Sequence, residues 1–522
     1  MRALAVAALG VALLGARPAV GQTIDSIVVL NDDVFAPEEE ADPDAGFLAR
    51  LANALHIRTR ARTIRRTLLL NQGDVFDSAR IVESARALRN LGVFRQVTLD
   101  TAWVARRLHL LVTTADGWST RPEINFSTAG GDETWSVGIS EENFLGTATE
   151  VSLGYRHNPD RTAFDVLYRN PHFIIPRTVL LARYSDYSDG SQGGWRLGLP
   201  FSQTASRASL EVRGEAARLR VLQFRDGILD TMMQHRLQWV SLRSGVALKA
   251  TSQDYLRAWM TATWRREDFA EDTATVVPRS TFGTAGAGLE LGHTRIRVVQ
   301  QFNSYSRRED LDLSQIARLG LWVAPRAWGY PSSRAGVGPE VFVQASTVWR
   351  GGFAVVRAGG HGVFAGGGGG LDSGRVGARL TVGSQNLPRQ SLVLHVEAAA
   401  AHNPAPGDEY DFWTDRRSGP RLFGAHAFTG TRLVWVTLED RILIDRAFYG
   451  LFGIGVAPFI DWGGIWYPGD ARRTGGNVGV ALRLGPTRAV TGDPAEIAVG
   501  VRFGAGFDGN PWALTIRRAI RF

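Results

Sequence analysis

From Arg121 onward the hydrophobic pattern has a period of two, which a pleated strand satisfies because its successive side chains point to opposite faces. Trp135, Val137 and Ile139 share one face in TWSVGISEENF, and Val151, Leu153 and Tyr155 do so in EVSLGYRH. The alternation returns at Leu392, Leu394 and Val396, and again at Val434, Val436 and Leu438. Turn clusters such as HNPDR, DYSDGSQGG and AGGGGGLDSG separate the runs. The pattern persists into the final stretch, WALTIRRAIRF, where Trp512, Leu514, Ile516, Ile520 and Phe522 alternate and Arg518 is the exception. Chain ends ordinarily fray, so apolar residues there need something that ties them down. A closed barrel supplies it, because its last strand pairs with its first.

The other end reads as an export signal. Residues 1–21, MRALAVAALGVALLGARPAVG, combine a basic residue, an apolar run from Ala3 to Leu14 and small residues at the end. That run is shorter than the roughly 20 residues needed to cross a bilayer. The chain has no cysteine, which excludes disulfides, thiolate metal sites and a cysteine nucleophile. No later apolar run is long enough for a membrane helix. The net charge of +8 is spread along the chain without a dense basic tract, so no nucleic-acid partner is expected. An exported chain rich in Gly (59) and aromatics (15 Trp, 25 Phe, 10 Tyr) fits an outer-membrane β-barrel, with a large secreted β-sandwich as the alternative.

Residues 22–116 read differently. TIDSIVVLNDDVF is strand-like, APEEEADPDAGF a polar loop and Thr59 to Leu70 a short helix. In DSARIVESARALRNLG, Asp77 and Ser78 are N-cap candidates, Ile81, Ala85, Leu88 and Leu91 share a helical face, and Gly92 ends it. VFRQVTLD and RRLHLLVTTAD follow as strands, with Val97 and Leu99 on one face of the first and Leu108, Leu110 and Val112 on one face of the second. Strand, helix, helix, strand, strand makes a small α+β domain with one core, to which Ile81, Leu88, Phe94 and Val97 are assigned.

The stretch GDVFDSARIVESARALRNLGVFRQVTL resembles a POTRA domain, a polypeptide-binding module of the periplasm. Four later stretches resemble the BamA-like outer-membrane assembly factors, the bacterial surface antigen superfamily. They are ENFLGTATEVSLGYRH, YRNPHF, GPRLFGAHAFTGTRLVWVTLEDR and PFIDWGGIW, in the family's order. The resemblance implies a signal peptide (1–21), one POTRA-like periplasmic domain (22–116) and an all-β transmembrane barrel of sixteen antiparallel strands (117–522). It implies that the sixth extracellular loop folds into the lumen, so that Arg421 and Phe423 of Pro420-Arg421-Leu422-Phe423 join Glu439 and Asp461 on the inner wall. Leu422 stands where the family's motif has glycine, with Gly424 two residues on. It further implies a lateral seam between a first strand carrying Glu123, Ile124, Asn125 and Phe126 and a last strand carrying Ile520 and Phe522.

The implied function is insertion or translocation of polypeptides at the outer membrane. The partners would be unfolded outer-membrane or secreted polypeptides, outer-membrane lipid, and periplasmic chaperones or assembly lipoproteins. A two-partner-secretion exporter and a passive porin or receptor are the alternatives. No cofactor, metal or catalytic residue is expected. Gly504 to Gly509, GAGFDG, has a dinucleotide-loop spacing but runs into Pro511 and a strand, and the glycines Gly366 to Gly370 read as a flexible loop. His157, His172 and His361 stand isolated in strand-like contexts.

Overall fold

The computed structural model describes residues 22–41, 46–127, 133–271, 276–300, 302–305, 308–330, 335–365, 370–412, 419–448, 452–487 and 494–519. The expected signal segment lies outside them. Strand β1 (Ile24–Asp32) runs parallel to β3 (Arg107–Asp116), which runs antiparallel to β2 (Phe94–Val104), giving the order β1-β3-β2. Helices α1 (Pro37–Glu40), α2 (Gly46–Leu55), α3 (Ala61–Thr67) and α4 (Ser78–Asn90) lie between β1 and β2 in the chain.

Helix α4 starts where the Asp77 carboxylate accepts the N–H groups of Ala79 and Arg80, at 2.9 and 3.3 Å. Leu88, Phe94, Leu108, Leu110 and Val112 are buried in one core with Ile24 and Ile64, while Ile81 and Val97 pack half-buried against it. The segment read as a polar loop contains α1 instead. Pro37 preorganises its first turn, and the Glu39 carboxylate accepts the Ala36 N–H at 2.9 Å, so the acidic run serves a helix start.

Among the described residues, the rest of the chain builds a closed antiparallel barrel of twenty strands, from β4 (Thr120–Ser127) to the closing strand Trp512–Arg518. Twenty replaces the expected sixteen because several connections are short and leave more chain for strands. Ser188 and Asp189 alone join Val179–Tyr187 to Gly190–Leu199. Asp226 and Gly227, with φ of 57° and 83°, join Ala208–Arg225 to Ile228–Ala250 in the left-handed geometry that matches strand twist. The ring closes where β4 meets the closing strand, and among the described residues this junction is more sparsely contacted than any other neighbouring pair of barrel strands.

The barrel is apolar outside. On Gly475–Pro486, Val478, Val480, Leu482 and Leu484 are exposed, while Asn477, Ala481 and Arg483, on the alternate positions, are buried inside. Leu319 with Leu321, Ile460 with Trp462, and Ile497 with Val499 repeat the pattern on other strands. Water does not stabilise so large an apolar surface, whereas a bilayer does. No helix among the described residues is long and apolar enough to cross a membrane.

The α/β domain docks against the turns at one end of the barrel. At the end of Thr134–Phe144 the Asn143 amide donates to Ile57 O and Thr59 Oγ1, at 3.0 and 2.9 Å, and in the turn that follows Gly146 O accepts the Arg60 N–H at 2.9 Å. Gly146 has φ 70°, and a Cβ there would lie 2.5 Å from Arg58 O, so the approach requires glycine. His172 lies in the next such turn, not in a strand. The Thr67 hydroxyl is 2.8 Å from its Nε2, and Arg66 donates to its carbonyl at 2.9 Å. From α4, Glu83 accepts the Thr204 N–H at 3.2 Å and Arg89 grips both oxygens of Asp310.

The lumen is filled from both ends. On the domain's side, the hairpin Ile296–Gln300 and Arg308–Asp312 turns inward, burying Phe302 against Phe353, Val355 and Val393 of the wall. On the opposite side, the connection between Gln390–His402 and Arg432–Phe448 folds back, burying Leu422 against Ala457, Phe459, Ala481 and Ala498. Leu422 fills that space without positive φ, so the position needs no glycine.

Candidate functional site

Arg421 sits at the tip of the infolded loop, and three wall strands bring carboxylates to it. Its Nε lies 2.8 Å from Asp461 Oδ2, its Nη1 2.9 Å from Glu496 Oε1 and its Nη2 2.9 Å from Glu439 Oε2. Its backbone N–H also donates to Asp461 Oδ2 at 3.1 Å. All four side chains are wholly removed from solvent. The Phe459 ring lies under the guanidinium, 3.8 Å from ring centroid to Cζ. Thr437 donates its hydroxyl to Asp461 Oδ1 at 2.6 Å and fixes that carboxylate.

Each position follows from strand alternation. Thr437, Glu439 and Arg441 point inward from Arg432–Phe448, opposite the exposed Leu438. Asp461 lies between the exposed Ile460 and Trp462, and Glu496 shares its face with Ala498, away from Ile497 and Val499.

A second ring of arginines completes the group. Arg441 Nε is 2.7 Å from Glu439 Oε1, Arg483 Nη1 is 3.6 Å from the same oxygen, and Arg517 Nε is 3.6 Å from Glu496 Oε1. Arg441 also donates to Phe302 O at 2.7 Å, which ties the inner hairpin to the same network. Charges buried this deeply persist only when paired and hydrogen-bonded. The group is therefore a latch: it holds loop, wall and hairpin in one arrangement.

Of the residues expected here, Arg421, Glu439 and Asp461 come together. Phe423 does not join them; it packs with Phe428, Trp435 and Ile465 in a separate apolar cluster. Glu496, Arg441, Arg483 and Arg517 escaped the sequence reading. Their signal was available: each is a charged residue at an inward position of an otherwise apolar alternation. Arg517 lies on the lumen face of the last strand, between the apolar positions that face lipid.

At the seam, Ile124 and Phe126 are exposed on the lipid-facing side of β4. Glu123 and Asn125 alternate with them. Asn125 donates to Ser136 Oγ at 2.9 Å, and Glu123 lies 4.0 Å from Arg121. Ile520 and Phe522 lie outside the described residues.

Beyond the lipid-facing strands, His426 fastens the loop's outer part. Its Nδ1 is 2.5 Å from Asp411 Oδ2 and its Nε2 3.0 Å from Asp160 Oδ1, with the Phe224 ring stacked at 3.5 Å. Burial works against its charge, but hydrogen bonds to the two aspartates win and raise its pKa to about 9. His172, in its turn against the α/β domain, goes the other way. Burial, with Arg66 and Arg177 nearby, lowers its pKa to about 4.

Fold and site together define a membrane-spanning β-barrel with an ionic latch inside and an α/β domain at one mouth. No protein-family model matches the chain, and no curated protein matches it. Among solved structures it is similar to BamA from Haemophilus ducreyi lacking POTRA domains 1–3, at 12% identity over 94% of this chain and 84% of that one, with a TM-score of 0.39. It is similar to CdiB from Escherichia coli at 11% identity, 98% and 92% coverage and a TM-score of 0.48. For CdiB from Acinetobacter baumannii the values are 10%, 95%, 73% and 0.43. Likeness at this level carries no weight for function, which must be argued from the chain's own residues.

Proposed function

We propose that this protein is an outer-membrane assembly or translocation factor: its α/β domain, a POTRA-like unit in the periplasm, receives unfolded polypeptide, and the barrel passes it on through a lateral seam. The observation that carries the reading is the contrast between a filled lumen and a sparse seam. Loop and hairpin occupy the lumen and are held by the Arg421 group. The junction between β4 and the closing strand, the most sparsely contacted among the described residues, would leave unpaired backbone edges when open, and an extended client can pair with such an edge. A passive porin needs a free lumen. No step in this scheme requires a cofactor or a covalent intermediate.

The two-partner-secretion reading remains as the second, because the inner hairpin packs on the lumen wall at the domain's side and export would only have to displace it. One experiment separates them. The chain is free of cysteine, so one cysteine is placed in β4 and one opposite it in the closing strand, and the pair is oxidised. A crosslink that stops client insertion until reduced supports the seam. A crosslink that leaves function intact removes it in favour of passage through the lumen. Depletion followed by a census of outer-membrane proteins then identifies the clients.

A further inference from the structure

Between the inner hairpin and the wall, on the domain's side of the latch, lies a cavity of about 550 Å3, within the range of ligand sites. Arg297, Arg389, Arg441 and Arg483 line it, and no described carboxylate does. Arg483 is almost wholly buried, yet its Nε has no hydrogen-bond partner. Its Nη1 reaches Glu439, which Arg441 and Arg421 already share. Glu439 is therefore divided among three guanidiniums, while Asp440 accepts the amide of the lining Gln390 at 2.7 Å. Two further arginines, Arg297 and Arg389, add positive charge at the cavity wall. Arginine forks exposed to such a space select carboxylate or phosphate oxygens.

The same cavity holds a second feature. The strand Ile296–Gln300 forms one arm of the hairpin and, among the described residues, pairs on one side only, with Arg308–Asp312. Val298, Val299 and Gln300 line the cavity. Gln385, on its opposite wall, donates its amide to Gln300 O at 3.1 Å, so that strand's unpaired edge faces the space. By strand alternation the Val298 N–H and C=O point the same way. A free strand edge binds extended backbone, and a phosphate has no use for it.

We propose that this cavity binds an extended polypeptide segment carrying carboxylates, its backbone added to Ile296–Gln300 and its carboxylates on Arg297, Arg389 and Arg483. The site names a substrate class for the function proposed above and rests on that reading.

The test uses the full chain in nanodiscs and a fluorescein-labelled eight-residue peptide of alternating valine and glutamate. Anisotropy should show saturable binding, at least tenfold weaker for the glutamine counterpart and at least tenfold weaker for the Arg297→Gln/Arg389→Gln double variant. Circular dichroism and heat resistance on gels verify that the variant is folded. N-methylation at alternate peptide residues should abolish binding in one register and spare it in the other. Equal binding of the glutamine peptide, or indifference to N-methylation in both registers, overturns the proposal. So does the finding that inorganic phosphate or phosphatidylglycerol vesicles bind at these arginines while the peptide does not. If depletion leaves every outer-membrane protein in place while the peptide still binds, the functional reading fails and the cavity assignment stands.

Discussion

The guanidinium of Arg421 and the carboxylate of Asp461 form a two-point pair, Nε to Oδ2 at 2.8 Å and Nη2 to Oδ1 at 3.1 Å, with both side chains wholly out of water. One carboxylate thus fixes the orientation of the fork, and the remaining donors are aimed at Glu439 and Glu496. Arg421→Ala leaves the buried Asp461 carboxylate without a cation and takes one cation each from Glu439 and Glu496, and should destabilise the barrel by about 3–5 kcal/mol. Arg421→Lys should recover only part, since a point charge cannot meet a fork's geometry. The temperature at which the folded band disappears on gels reads both; an unshifted Arg421→Ala would show that the latch bears no load.

Arg89 on α4 and Asp310 on the inner hairpin join the α/β domain to the lumen filling, with both side chains largely covered. A double-mutant cycle of Arg89→Ala and Asp310→Ala should give a coupling of about 1 kcal/mol, the upper end for a pair that keeps some solvent. Swapping the two charges should restore most of it. Protease sensitivity of the hairpin is the readout, and a coupling of zero would mean that domain and hairpin move independently.

Leu88 is fully buried in the α/β core, whereas Val82 on the same helix is exposed. Leu88→Ala should cost about 2–5 kcal/mol and Val82→Ala less than about 0.5 kcal/mol. Thermal melts of the whole chain, followed by fluorescence, would distinguish this from a helix buried on its other face.

His426 and His172 give opposite pH dependences. The pKa of His426 is raised to about 9, so its contribution is fully present below the ordinary value of 6.5 and is lost as pH rises through 9. Loop protection from proteolysis should fall over that window, and His426→Gln should flatten the profile. The pKa of His172 is lowered to about 4, so its contribution is present above 6.5 and is lost as pH falls toward 4. Burial, with the charges of Arg66 and Arg177, disfavours the protonated ring, and the Arg177 backbone N–H, which donates to Nδ1 at 3.1 Å, would lose its acceptor on protonation. Contact between domain and barrel, read by hydrogen exchange at Thr63 and Thr67, should loosen in acid for the native chain. The same profile in His172→Asn would remove His172 as the cause.

Period-two alternation through Leu392, Val434 and Trp512 was sufficient for a chain built of strands, because a strand's side-chain period is a local property of the backbone, while the choice of barrel over sandwich rested on the export signal and the resemblance. The helix over Ser78–Asn90 and its capping Asp77 were legible for the same reason. Strand number was not, because it depends on how little chain each turn consumes, as at Asp226-Gly227. The candidate site divides along the same line. Arg421, Glu439 and Asp461 could be named from motif resemblance, but Glu496 lies 75 positions from Arg421, and only closure of the barrel places its Oε1 within 2.9 Å. The inner hairpin is further still from local reasoning. Its residues look like an ordinary polar turn, and their inward course is decided by the space the lumen leaves for Phe302 and by Arg441, which holds the Phe302 carbonyl. Local pattern determines which face of a strand meets lipid; only the closed ring determines which charges meet each other, since Coulomb and packing terms depend on distance in space and not along the chain.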